Sequence, residues 1–395
     1  MTFKPKILFI VSTFSRYEGD MQNPWMIDTF KRLKKRGYDI DILAPSFKGL
    51  KTHSVGEMKI YRWRYFFKKW ESLTHDHGAP NKIRGSVLYK FMFFPYVIFG
   101  SIATFNICRK KKYNYIHCHW PFPQGVIGLF GLYGKPKPKL ILHFHGASLL
   151  LANTYRYVDM VLNYLLKKAD LVICNSNYTS DLVKKINNVS THVIPYGTPL
   201  QYNPIPLPNN QTKEILAVGR IIERKGLIFL IKAIPKISIK INIKLYIVGS
   251  GDPNVTKQLR DEIEKLRLKE KITLTGKLSD EALIERYKNC DVFCLPAIVD
   301  SKGDTEGLGV VLLEALNYGR PIVSSGVGGI TDIIKHEKTG LIANQKDPDD
   351  IAEKILQILL DPQKALKLAT EGCSFAKENF NWDCIMKQWD DIYQL

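Results

Sequence analysis

AIVDSKGDTEGLGVVLLEALNYGRPIVSS, residues 297–325, runs from the end of one strand through a glycine-rich turn and a helix into the next strand. Val292 to Leu295 just before it is a short apolar run of strand length, and Pro321 to Ser324 supplies the next one. Between them Asp304 to Gly309 forms a turn. There Gly307 and Gly309 allow close backbone approach, and a helix beginning near Gly309 offers free amides and a positive dipole end. This is a cradle for an anion. Glu306 lies in the turn and Glu314 about one and a half turns into the helix. Carboxylates suit sugar hydroxyls better than a phosphate, which amides and cations would hold instead. The plainer alternative is an ordinary capped surface helix.

Working outward, the same alternation of Ile/Val/Leu runs with amphipathic segments fills the chain, the pattern of parallel strands joined by helices. In the first half the strands read as Ile7 to Val11, Asp39 to Ala44, Tyr115 to His119, Leu140 to His145, Leu171 to Asn175 and His192 to Pro195. In the second they read as Ile215 to Val218, Lys244 to Val248, Ile272 to Thr275 and Leu341 to Ala343, besides the two flanking the turn. QYNPIPLPNNQT at 201–212 reads as a linker. The fold class is therefore α/β, with two Rossmann-like domains facing a cleft. Residues 1–203 form an N-terminal domain and 204–379 a C-terminal domain. Residues 380–395 form a helix crossing back, with Trp382, Ile385, Trp389 and Ile392 as its apolar stripe. Ligands in such sheets lie beyond the carboxyl ends of the strands.

The chain has 395 residues, 57 Lys plus Arg against 38 Asp plus Glu, for a net charge of +19. Residues 1–200 carry 30 basic and 11 acidic side chains and the remainder 27 of each, so the excess is entirely N-terminal. A field that lopsided suits an anionic surface or acceptor, or serves solubility. Cys108, Cys118, Cys174, Cys290, Cys294, Cys373 and Cys384 form no CxxC pair, which points to an intracellular chain without a disulfide framework. The N-terminus lacks a small-residue cleavage site and reads as a strand. Phe91 to Cys108 and Tyr113 to Gly134 are long and uncharged, but the first carries Pro95, Gly100 and Asn106 and the second two prolines and four glycines. Neither reads as a membrane span. A Walker A sequence is absent, as is GxGxxG after the first strand, and neither DID at 39–41 nor DPDD at 347–350 reads as a cation site.

The second chemistry-bearing stretch is AVGRIIERKG, residues 217–226, where a strand ends at Gly219 and is followed by Arg220 and Lys225. Arg brings a planar fork and Lys a compact charge, and together they can stabilise a leaving diphosphate without a metal. GRxxxxKG paired with EGxGxxxxEAxxxGxP resembles the retaining GT-B glycosyltransferases of family 4, glycosyl transferases group 1, and residues 214–379 resemble that family nearly end to end. VGSG at 248–251, TGKLSD at 275–280 and GVGGITDIIKHEKTGLI at 326–342 add to the likeness.

The resemblance implies a metal-independent hexosyltransferase with a UDP- or GDP-sugar donor as substrate and no further cofactor. It places Gly219, Arg220 and Lys225 on the donor diphosphate and Glu314 on the ribose. Glu306 would lie on the donor sugar, the amides of Gly307, Leu308 and Gly309 on sugar and phosphate, and the backbone near Lys277 and Leu278 on the base. HFHGAS at 143–148 resembles the family's histidine loop, which makes His145 the residue touching the transferred sugar. RYEGDMQNPW at 16–25 departs from the family's Gly-Gly pair, so Gly19 and Asp20 match in part, and Thr331 and Asp332 stand where Pro and Glu are frequent. In this family the departing phosphate is thought to take the acceptor proton from the same face.

KRLKKR at 31–36, RWRYFFKKW at 62–70 and RKKK at 109–112 supply much of the basic excess. With FMFFPYVIF at 91–99 they compose a surface for an anionic bilayer and a lipid-linked or glycan acceptor, on a cytoplasmic protein peripheral to the inner face of the membrane. A hydrophobic core helix beside a solvated basic face is the other reading. Nucleic acid is not an expected partner. An epimerase or phosphorylase on the same architecture, and a sugar-nucleotide binder without turnover, are the competing functions.

Overall fold

The computed structural model describes residues 4–20, 23–75, 82–83, 86–198, 200–201, 204–208 and 210–394. The chain folds as two compact units, Met1–Ile194 with Met386–Leu395, and Pro195–Ile385. Each is a sheet of mainly parallel strands flanked by helices, as the alternating pattern requires, and every strand read from the sequence forms with its ends shifted by at most two residues.

The first unit contains β1 (Lys6–Ile10), α1 (Pro24–Lys35), β2 (Asp39–Pro45), β3 (His53–Val55), β4 (Met58–Trp63), α2 (Val87–Lys110) and β5 (Tyr115–His119). It continues through α3 (Pro121–Leu129), β6 (Lys139–Phe144), α4 (Ala147–Thr154), α5 (Arg156–Lys168), β7 (Leu171–Cys174), α6 (Asn177–Ile186) and β8 (His192–Val193). The sheet order is β3-β4-β2-β1-β5-β6-β7-β8. β3 and β4 form an edge hairpin that the sequence reading missed. It also corrects the reading of RWRYFFKKW as wholly surface. Trp63 is buried and donates from its indole nitrogen to the Tyr96 carbonyl at 3.2 Å. Arg62 is buried too, donating to the carbonyls of Phe14, Ser15 and Pro45.

α2 is a single helix of 24 residues in spite of Pro95 and Gly100. Gly100 faces Ile127 and Trp63 so closely that a Cβ would lie 2.8 Å from Ile127 Cδ1, so glycine here is demanded by packing rather than by a break. Among the described residues α2 is the helix long and apolar enough to cross a membrane by length and composition, which the sequence reading did not expect.

The second unit contains β9 (Lys213–Val218), α7 (Leu227–Lys240), β10 (Ile243–Val248), α8 (Pro253–Lys265), β11 (Ile272–Gly276), α9 (Asp280–Asn289) and β12 (Val292–Leu295). α10 (Val310–Asn317), β13 (Ile322–Ser325), α11 (Ile330–Ile333), β14 (Leu341–Ala343), α12 (Pro348–Leu359) and α13 (Pro362–Phe380) follow. Its sheet order is β11-β10-β9-β12-β13-β14, all parallel. Apolar clusters cover both faces, one centred on α7 and α12 and one on α10 and α13. α14 (Trp382–Ile392) closes the chain, and from Met386 onward it belongs to the first unit, where Asp390 accepts from Tyr38 at 2.7 Å and pairs with Lys4 and Arg36.

The division between units falls at Ile194/Pro195 instead of 203/204, because the proline-rich run is bound to the second unit rather than free. Arg320 is fully buried. Its guanidinium donates to five carbonyls: Tyr318 at 2.9 Å, Lys288 and Cys290 at 3.2 Å, Ile205 at 2.6 Å and Pro206 at 2.9 Å. Replacing it with Met leaves those acceptors without a donor, and Arg320→Met should lower unfolding free energy in urea by about 3–5 kcal/mol. Arg320→Lys keeps the charge without the fork and should recover less than half of the loss. A Met variant within about 1 kcal/mol of the parent would remove this anchor from the account.

Candidate active site

Open parallel sheets bind ligands where the strand order turns back on itself. In the second unit that place lies between β9 and β12. Their ladder pairs Val292 with Ile215 and Phe293 with Leu216, whereas the strands run on to Val218 and Leu295, so a crevice opens at their carboxyl ends. The two stretches singled out in the sequence enter it from either side.

After β9 the chain turns at Gly219, whose φ of 147° favours glycine, and the Lys225 stem packs 3.2 Å from where its Cβ would stand. The short turn Glu223–Lys225 then aims two consecutive cations at one oxygen. Lys225 Nζ lies 2.5 Å from Glu306 Oε2, and Arg224 Nη1 donates to the same atom at 2.8 Å. Arg224 Nε also faces Asp304 Oδ2 at 3.5 Å. Lys225 and Glu306 are only 7% and 9% exposed, so these charges interact at low dielectric. Burial alone would raise the Glu306 carboxyl, but the adjoining Lys225 and Arg224 outweigh it and hold it below the ordinary value. Burial brings Lys225 below its ordinary value, with Glu306 opposing the shift.

Both cations meet the carboxylate at Oε2. The GVGG run backs the turn. Gly329 N–H donates to the Glu306 carbonyl at 2.9 Å, and a Cβ on Gly328 (φ 58°) would overlap that same carbonyl. Gly307 and Leu308 complete the turn into Gly309 (φ 88°), which begins α10 without a side-chain cap, so the first amides of the helix are available to an anion.

Glu314 accepts from the Tyr287 hydroxyl at 2.6 Å. Burial raises its carboxyl above the ordinary value, and the Tyr287 bond and Lys225 act the other way. Gly219, Lys225, Glu306, Gly309 and Glu314 are thus brought into one neighbourhood. Arg220 is exposed beside it, close enough that its charge acts on Lys225. Lys277 is exposed just beyond β11, and Leu278 packs on the cluster that includes Leu308 and Leu312. Arg224 and Tyr287 were missed by the sequence reading. Arg224 sits beside Lys225 in ERKG, but only the tight turn reveals that neighbours in sequence share a carboxylate.

In the first unit the order turns back between β1 and β5. His117 and His119 on β5, and His143 and His145 at β6, share one face because they alternate along adjacent strands, His119 opposite His143. His119 Nδ1 and His145 Nε2 are 2.9 Å apart with rings stacked at 7°, and Trp25 and Trp120 each lie 5.0 Å from the His145 ring. Burial holds His145 well below the ordinary imidazole value, and His119 and His117 add to it, so it is neutral at pH 7. Nitrogens of His117, His119 and His143 lie within 4.8 Å of one another, the spacing of a metal-ligand set. His117 nevertheless bonds Tyr393 and His143, and only Nε2 of His119 and of His143 is without a partner, fewer than the three protein ligands of a catalytic zinc. Asp20 is occupied by Arg16, which it binds through both oxygens, so the RYEGD loop is a closed turn.

Residues 25–202 match the family model described as Glycosyltransferase Family 4, and residues 201–374 match Glycosyl transferases group 1. The chain belongs to the group 1, family 4-type glycosyltransferases. An uncharacterized glycosyltransferase of Methanocaldococcus jannaschii is 27% identical over 80% of this chain and 86% of its own. A GDP-mannose-dependent alpha-(1-6)-phosphatidylinositol monomannoside mannosyltransferase of Mycobacterium tuberculosis is 27% identical over 45% of this chain, and the match spans 46% of that relative's length. An Anabaena protein solved in complex with UDP-glucose superposes with a TM-score of 0.70 at 18% identity, covering 99% of this chain and 100% of that one. The GT-B glycosyltransferase fold read from the sequence is thereby established.

This glycosyltransferase carries a pH liability in its histidines. Burial keeps His119 at about 3 and His117 and His143 well below 6.5. Unfolded imidazoles take up protons near pH 6.5 that the folded ones refuse, so stability is full above that pH and falls below it. Each histidine contributes roughly 1.4 kcal/mol per pH unit. Urea unfolding between about pH 7 and pH 5 should show the loss, and His143→Gln should give a shallower slope. Equal slopes in both chains would show that His143 is not held neutral.

Proposed function

We propose that the protein moves a hexosyl unit from a nucleoside diphosphate sugar to a hydroxyl of a glycan or lipid-linked acceptor, with retention at the anomeric carbon. The observation that carries this reading is the buried Glu306–Lys225 pair, joined by the half-buried Arg224, beside the uncapped start of α10. Support comes also from the GDP-mannose dependence named for the mycobacterial relative and from the UDP-glucose bound by the Anabaena protein.

The bond between the anomeric carbon and the diphosphate oxygen breaks, a bond from the acceptor oxygen forms, and the acceptor proton passes to the departing phosphate. Negative charge grows on that diphosphate. Lys225, Arg220 and the amides of Leu308, Gly309 and Val310 would stabilise it, the protein's own cations taking the part a metal plays elsewhere. Glu306 keeps a desolvated Lys225 charged through Oε2, and its Oε1 accepts from a hydroxyl of the donor sugar. Glu314 would accept from the ribose, and the backbone at Lys277 and Leu278 would meet the base. His145, neutral, would contact the transferred sugar. The reaction belongs on the cytoplasmic side, where nucleotide sugars are supplied.

Nucleoside diphosphate release tests the reading. It should require acceptor apart from slow hydrolysis, whereas an epimerase would convert donor without acceptor and a pure binder would do neither. Lys225→Ala and Glu306→Gln should each lower kcat/KM by about 10²–10³. His145→Ala should lower kcat while donor affinity, measured by calorimetry, holds. Full activity in the Lys225 or Glu306 variant overturns the assignment.

A further inference from the structure

A cavity of ≈ 830 Å³ lies wholly within the first unit. Its walls are apolar and largely aromatic, formed by Phe93 and Phe94 of α2, Phe122 of α3, Leu151 of α4 and Tyr157 and Val161 of α5. Phe93 stacks on Phe122 at 5.9 Å, and Phe122 meets Tyr157 edge-on at 6.3 Å, so rings line it along its length. At one end it is bordered by Trp120, Ala147 and Ser148, the residues around His145. Polar atoms are few. Gln124 is 1% exposed and donates to Tyr96 at 2.8 Å, yet its Oε1 has no partner, and neither has Oγ1 of Thr74, which also lines the cavity. An apolar trough with isolated acceptors near a reactive end fits a long hydrocarbon that carries a hydroxyl-bearing head.

The outer face of α2 has the same need for a non-aqueous neighbour. Val87, Phe91, Phe94, Ile98 and Ile102 recur at helical spacing and are 65%, 68%, 66%, 56% and 49% exposed, while Met92, Tyr96, Gly100 and Cys108 bury the opposite side. A helix apolar on both sides costs free energy in water unless something covers it. Tyr157, Met160 and Tyr164 of α5 add further exposed apolar surface near the groove. The charge around it chooses the cover. No Asp or Glu occurs between Asp76 and Asp159, while Lys90 borders the groove and Arg109, Lys110 and Lys112 are exposed at the end of α2. These cations are complementary in charge to phospholipid anions.

We infer that this groove takes the hydrocarbon chain of an anionic lipid, and that the exposed face of α2 rests in the acyl region of the bilayer that supplies it. The lipid then presents a head-group hydroxyl beside His145 as the acceptor. Only that last role rests on the transferase reading; the lipid site stands on the groove and helix alone.

The test uses the full chain, cis-parinaric acid as the fluorescent probe, and vesicles of phosphatidylcholine with or without phosphatidylglycerol. Parinarate fluorescence should rise on binding and be displaced by palmitate but not by inorganic phosphate. Val161→Trp fills the groove and should weaken parinarate binding about tenfold or more, with nucleotide affinity unchanged. Leu151→Trp, from another wall, serves as the second variant if the first is misfolded by circular dichroism. The paired change Phe91→Asp and Ile98→Asp should abolish flotation with anionic vesicles, which added salt should also weaken. No parinarate binding by the parent, or parent-like binding in a folded groove-filled variant, overturns the site. A stable dimer that buries α2 and ignores vesicles gives the face to a second copy and overturns the bilayer contact. Parinarate binding without diphosphate release counts against the transferase reading alone, and release onto a water-soluble acceptor without parinarate binding counts against the groove alone.

Discussion

A carboxylate buried with two cations on one oxygen is the constraint from which the second unit's chemistry follows. Desolvating Glu306, Arg224 and Lys225 is costly, and the cost is offset only if all three meet at hydrogen-bond distance. That requirement dictates the local backbone. The turn Glu223–Lys225 must be tight enough to bring two successive side chains to one atom. The Asp304–Gly309 turn must present Glu306 inward, and the GVGG run must lie flat against its carbonyl, where a side chain has no room. These segments follow different strands, so the trio joins the loops that the reversal of strand order brings together.

The first unit meets the same topological situation with neutral groups. Four imidazoles on one sheet face would repel if protonated, and burial suppresses their charge first, with their mutual repulsion adding to it at His117, His143 and His145. At pH 7 His145 is therefore a neutral hydrogen-bonding group held by His119 and flanked by Trp25 and Trp120. A neutral donor or acceptor suits sugar hydroxyls better than it suits a diphosphate. One unit thus offers charge and the other offers polarity without charge, a division that matches the two partners of a glycosyl transfer.

Periodicity made both sheets legible, because strands buried on two faces are near-continuous apolar runs and leave little else to read. It failed where burial is achieved by polar residues. β3 is HSV and β4 carries Arg62, whose guanidinium donates to three carbonyls distant in sequence, so nothing in the local pattern marks it as interior. Proline misled twice for a related reason. In α2 Pro95 costs one backbone bond but packing retains the helix, and at 204–206 the prolines belong to a strap held by Arg320, a residue more than a hundred positions away. At the site, Lys225, Glu306 and Glu314 could be named from spacing, while Arg224 and Tyr287 depend on which side chains converge.

The lopsided charge becomes intelligible once the two halves are taken separately. The half that carries Arg224, Lys225 and Glu306 is neutral, with 27 basic and 27 acidic side chains. Recognition of a small anion needs only a few buried cations, strengthened by low dielectric, and surplus surface charge would add little beyond a Debye length. The other half carries the whole excess of +19. Among the described residues its cations are scattered over helices and loops and largely exposed. That distribution is ineffective for gripping one phosphate but effective against an extended anionic plane, where many weak attractions add. The apolar face of α2 lies within the same stretch free of acidic residues, so in the proposed bilayer contact attraction and burial would act at one place on the first unit.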